Sequence, residues 1–235
     1  MKKLVIAIFV LLLASGALAQ NTPVYDIQHG IGLTDGGSLC TPRGIVTAVL
    51  PDGFFVADYY VTTPAAWDGI YVHMGTVAFD LVPGDIVALC GVYEEHNGLT
   101  RINVEFAGLY GSALYMGSTA VPAPTIVTAA DLTADPEPWE SCVILIQDGM
   151  QVTSLPNGNG QWTTLCEDGT PLLLDDFWYD TGQVMMGQCY NNALGIWYEV
   201  NGTYMHHPYV DGLSPVNCTV PNDTISFSTV KALYR

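Results

Sequence analysis

The chain has 235 residues, with 6 Lys+Arg against 23 Asp+Glu, 49% hydrophobic residues and six cysteines. Nucleic-acid binders draw most of their affinity from basic side chains that neutralise phosphates, and a chain this acidic has almost none to offer. Its field repels polyanions and attracts cations.

The N-terminus carries Lys2 and Lys3, an apolar run over residues 4–13 and "ALA" at 17–19, the three regions of a secretory signal peptide. About ten apolar residues cannot cross a bilayer core that needs about twenty. Residues 1–19 therefore read as a leader removed near Ala19, and the product as soluble and secreted, extracellular or periplasmic. Cleavage leaves four basic residues, Arg43, Arg101, Lys231 and Arg235, against 23 acidic ones, a formal net charge of −19. No later segment approaches a membrane span, and nothing after the leader holds a helical period.

After an N-terminal segment, residues 20–38, "GIVTAVL" and "FFVADYY" are β-rich runs split by "PDG", a hairpin turn. "GIYVHM" follows, with Ile70, Val72 and Met74 alternating against Tyr71 and His73, one face apolar and the other wet. "VPGDIVALCGVYEE" and "LTRINVEF" flank the turn "HNG" and complete five strands over residues 39–106. Strand, hairpin, third strand and terminal hairpin is the order of an OB-fold, a five-stranded Greek-key barrel. Residues 107–138, rich in Gly, Ala, Pro and Thr, read as a connector. The pattern then returns over residues 139–212, in "SCVILIQDGMQVTSL", "QWTTLCEDG", "PLLLDDFWYD" and two strands around "VNG". The expected fold is all-β: two tandem OB-fold-like five-stranded barrels, with a short C-terminal tail over residues 213–235.

An even number of cysteines in an exported chain favours disulfides, and six allow fifteen complete pairings. Laying one repeat on the other places Cys40 against Cys142, at the start of a first strand, and Cys90 against Cys189, in "GDIVALC" and "GQVMMGQC". First and fourth strands are neighbours in this barrel. The expected pairs are Cys40 with Cys90 and Cys142 with Cys189, leaving Cys166 with Cys218.

"GIVTAVLPDGFFVAD", "WDGIYVHMG" and "VPGDIVALCGVYEEHNGLTRI" resemble the OB-fold modules that precede the catalytic domain in secreted bacterial nucleases of the endonuclease/exonuclease/phosphatase type. The resemblance covers about 70 residues and implies an accessory module on an extracellular protein. The metal-binding Glu, the Asn/Asp pair and the catalytic histidines of such nucleases have no counterparts here. No catalytic residue is therefore carried over.

OB-folds bind ligands on the outer face of strands two and three, so Phe55, Tyr59, Trp67, Tyr71 and His73 are the candidate ligand-binding residues, with Tyr71 and His73 the outward pair. An aromatic platform without positive charge suits a glycan or a protein better than a phosphate chain. "DDFWYD" supplies Asp175, Asp176 and Asp180, hard oxygen ligands suited to a structural Ca²⁺, although neighbours on a strand point to opposite faces. Glu94, Glu95 and His96, before a turn, and His206 and His207, adjacent on a strand, read as structural. No G-x-S-x-G elbow or free thiol offers a nucleophile, and no cofactor is expected. The expected function is a secreted, non-catalytic binding or assembly module for a protein or glycan. The alternatives are a self-associating structural or filament subunit, and a nucleic-acid-binding accessory of a secreted nuclease system.

Overall fold

The computed structural model describes residues 22–60, 65–107, 111–176 and 182–218. The leader at 1–19 and the end of the tail lie outside these residues. Among them, no helix is long and apolar enough to cross a membrane.

A short helix α1 (Val24–Gln28) precedes β1 (Ser38–Leu50), β2 (Gly53–Asp58), β3 (Gly69–His73), β4 (Asp85–His96) and β5 (Leu99–Asn103). The sheet runs β1-β2-β3-β5-β4 and closes through β1 against β4. β3 and β5 pair in parallel, Tyr71 opposite Arg101 and His73 opposite Asn103. This is the five-stranded barrel read from the sequence. Val46, Phe54, Val56, Ile70, Val72, Val87, Leu89 and Ile102 fill it, so β3 buries its apolar phase as the alternation requires.

The second barrel repeats this plan. β8 (Val143–Ile146) and β9 (Met150–Val152) together take the place of a first strand, followed by β10 (Gln161–Cys166), β11 (Pro171–Asp175), β12 (Cys189–Val200) and β13 (Thr203–Val216). β11 and β13 form the parallel pair, and β12 closes the barrel on β8 and β9. Trp162, Ile144, Ile146, Leu172 and Leu174 form its centre. Between the barrels lie β6 (Ser112–Ser118), antiparallel to β4, β7 (Thr125–Val127), parallel to β8, and helix α2 (Ala129–Ala134). Thr128 caps α2 reciprocally with Asp131, which satisfies two of its free N–H groups.

Two disulfides form. Cys40 and Cys90 stand directly opposite each other on β1 and β4 and are bonded, as the repeat predicts. In the second barrel the expected pairing is overturned, because Cys189 bonds Cys218, while Cys142 and Cys166 are free and buried. The reason is register. The Cys142 carbonyl accepts from Trp197 N at 3.2 Å, and Trp197 lies roughly 26 Å along β12 from Cys189 at about 3.3 Å per residue. Cys189 instead opposes Val216 on β13, within reach of Cys218. Burial pushes both free thiols up to about 12, which keeps them protonated and unreactive.

The barrels are packed on each other. Ala48, Leu50, Phe55, Tyr71 and Leu99 of the first share a buried cluster with Ile196 of the second, flanked by Val143, Tyr198 and Tyr209. Gly69 makes the approach possible: a Cβ there would overlap the Ser141 carbonyl and come within 2.6 Å of Cys142 N. Polar contacts cross the same seam, Trp67 N to Pro138 O at 2.6 Å and Tyr209 OH to Thr47 O at 3.4 Å.

Candidate functional site

The predicted aromatic platform is divided by the fold. Tyr71 and Phe55 do point away from the core of the first barrel, yet they are 2% and 0% exposed because the second barrel covers them. Phe55 stands 5.0 Å from Tyr71 and edge-on to Tyr198 at 5.8 Å. As a surface for ligand these two residues are corrected: they are the seam between the barrels. Alternation identified the face of Tyr71 but not what that face meets.

His73, at the rim of the seam, lies 3.7 Å from Asp52 and 3.8 Å from Glu105. Burial and then the Arg101 charge lower its pKa, against the pull of those carboxylates. Arg101, itself buried, donates to Glu94 at 2.7 Å, and Asn103 donates to the same oxygen at 2.8 Å. Glu94 therefore serves an internal ion pair. His96 stands 3.9 Å from it, at the turn where the sequence placed it.

Trp67 and Tyr59 remain partly exposed, and they are joined by residues the sequence did not single out. Tyr25 stacks on His29 at 4.1 Å, and His29 lies 4.1 Å from Trp67. Helix α1 delivers the first two, because Val24 and Ile27 bury into the first barrel and leave Tyr25 half exposed. Trp67 has φ of 69°, a left-handed conformation costing about 1–3 kcal/mol for a bulky residue, and its N–H is held by the Pro138 carbonyl. Beside this stack Asp58 accepts from Val24 N at 3.4 Å and Tyr60 N at 2.9 Å. Asp68 accepts from Ala65 N at 2.7 Å; burial raises its pKa, the Ala65 N–H opposes, and the Asp58 charge adds. Tyr60 is 63% exposed and edge-on to Tyr59, over which Arg43 lies at 5.3 Å. One end of the first barrel thus presents aromatic rings interleaved with carboxylates.

Of the predicted calcium ligands, Asp175 and Asp176 both turn an Oδ1 toward Gly160. They do not diverge as strand neighbours would, because β11 ends at Asp175. Asp180 lies outside the described residues. A different set of acids converges elsewhere: one carboxylate oxygen from each of Glu137, Glu140 and Glu199 lies within 4.8 Å of the others. Glu137 and Glu140 are three positions apart at a turn, Glu199 lies far along the chain at a strand end, and no motif links them.

His206 and His207 are both fully or nearly buried on β13. Burial lowers each to about 3. They are neutral core residues.

No family model matches the sequence, and no curated protein matches it. Among solved structures the chain is similar to the tetrameric p202 HIN2, at 11% identity and a TM-score of 0.35 over 78% of this chain and 94% of that one. It is similar also to the p204 HINb domain, at 11% identity and a TM-score of 0.37 over 74% and 95%. At that overlap neither assigns a ligand to this chain.

Proposed function

We propose that the protein is a secreted, non-catalytic module that binds a glycan at the aromatic end of its first barrel. The observation that carries this reading is the Tyr25–His29–Trp67 stack, with Trp67 held in a left-handed backbone by a bond from the other half of the chain. Strain over-determined by its surroundings is a feature of binding sites more than of packing. The half-exposed Tyr25 and the partly exposed Trp67 can accept the apolar face of a pyranose, and the partly exposed Asp26 and Asp68 offer acceptors to its hydroxyls. Phosphate chains are disfavoured by the same carboxylates, which argues against the nucleic-acid role of the secreted-nuclease accessory modules that the first barrel resembles.

Trp67→Ala is expected to weaken glycan binding at least tenfold in calorimetry against the best ligand from a glycan array, with the melting temperature little changed. An array on which the native protein binds nothing, or a Trp67→Ala variant that binds as well, sinks the proposal.

A second reading, self-association, has its own support. Among the described residues β6 pairs with β4 on one side and ends the sheet on the other, and Leu114, Tyr115 and Met116 are all about half exposed on it. Uncharged open edges invite strand addition. If this edge pairs copies, light scattering will show a concentration-dependent dimer that Tyr115→Lys abolishes; a monomer at every concentration rules it out.

A further inference from the structure

The barrels also meet at their hairpin tips, where Asn201 N donates to Asn97 O at 3.0 Å. This end of the contact is acidic. Glu137 and Glu140 come from the 3-10 turn (Glu137–Trp139) and the residue after it, and Glu199 from the end of β12. From the first barrel, Thr100 N donates to Glu140 Oε1 at 3.1 Å, and Glu95, held by Thr100 Oγ1 at 2.9 Å, adds a fourth negative charge nearby. Tyr204 OH donates to Glu137 Oε2.

Two observations beyond the clustering point to a ligand. Glu140 is 1% exposed, and its Oε2 has no hydrogen-bond partner among the described residues. A buried carboxylate oxygen without a partner is costly, so the site is built for something that satisfies it. Gly98, with φ of +98°, leaves the room that the Glu199 carboxylate fills: a Cβ there would overlap Glu199 Oε1. The turn of one barrel is thus shaped around an acid of the other. Among the described residues the one Arg–carboxylate pair is Arg101 with Glu94, so no basic side chain neutralises the group.

We propose that Glu137, Glu140 and Glu199, all from the second half of the chain, bind a hard divalent cation of the Ca²⁺ class beside the contact with the first barrel, whose Thr100 N–H holds Glu140. An all-oxygen carboxylate set selects such a cation over softer metals, and the strongly negative chain concentrates it. The ligand differs from the glycan of the aromatic end, and so does the surface.

Terbium luminescence tests this directly. Trp197 stacks on Tyr204 at 6.0 Å, and Tyr204 bonds Glu137, so Tb³⁺ at the site will be sensitised by excitation of Trp197. The expected result is saturable emission from the native protein, displaced by excess Ca²⁺ and reduced at least tenfold in Glu140→Gln. Glu137→Gln, at a residue that is not buried, is expected to give the same loss and decides the matter if Glu140→Gln fails to fold. Absence of sensitised emission, or emission that both variants retain, overturns the proposal.

Discussion

Acidification below pH 6.5 is expected to destabilise the protein steeply, with His206 and His207 as the cause. Both would titrate near 6.5 in the unfolded chain and are lowered to about 3 in the folded one by burial. Between those values the unfolded state binds protons that the folded state refuses, so stability falls by about 1.4 kcal/mol per pH unit for each histidine as pH drops. Glu140 runs the other way. Its folded value is raised from 4.5 to about 9, so its contribution is full below pH 4.5 and is lost as pH rises toward 9. In chelator, these two histidines against one carboxyl leave a net loss of about 1.4 kcal/mol per unit from pH 6.5 down to 4.5, and His73, also lowered by burial, acts in the same direction. Below 4.5 Glu140 is protonated in both states, and the loss steepens to about 2.7 kcal/mol per unit. Above 6.5 Glu140 alone lowers stability, so the maximum lies near pH 6.5. Urea midpoints measured from pH 3.5 to 9 in EDTA check this. A His206→Leu variant should have a shallower acid limb, and an acid limb unchanged by that substitution contradicts the assignment.

Phe55→Ala is expected to cost about 3–5 kcal/mol, the range for removing a buried aromatic ring. Phe55 is fully buried between Tyr71 of its own barrel and Tyr198 of the other. The cavity would open in the seam, where two rigid barrels have little freedom to collapse on it. Tryptophan emission makes the consequence visible, since four of the five tryptophans lie in the second half of the chain. If the barrels unfold as one unit, a substitution in the first shifts the fluorescence midpoint of the second. A fluorescence midpoint that stays in place while circular dichroism shows the first barrel melting early would mean that the seam couples nothing.

Much of the barrel architecture was legible because its signals are local. Period-two alternation assigned Ile70, Val72 and Met74 to the inside of the third strand and its end. The Cys40–Cys90 bond was readable because both residues lie within regular strands of neighbouring position. The same argument failed for Cys142 and Cys189. There the repeat is imperfect: Cys90 sits inside β4, whereas Cys189 is the first residue of β12 and Cys142 precedes β8. A displacement of a few residues at about 3.3 Å each is enough to break a disulfide geometry.

The aromatic site shows the same boundary. Alternation pointed to Tyr71 and His73 as the outward pair, and Tyr71 does face out of its barrel, into the neighbouring one. Tyr25 and His29 join Trp67 only because α1 docks by Val24 and Ile27. Strand phase, hairpin turns, acidity and the tandem repeat were properties of the sequence by itself, since each is set by residues within a few positions of one another. Which outward faces meet water was decided by the docking of two barrels, whereas which cysteines meet each other and the convergence of Glu137, Glu140 and Glu199 were decided by strand register and packing within a barrel. Those contacts join residues many positions apart, and no local period records them.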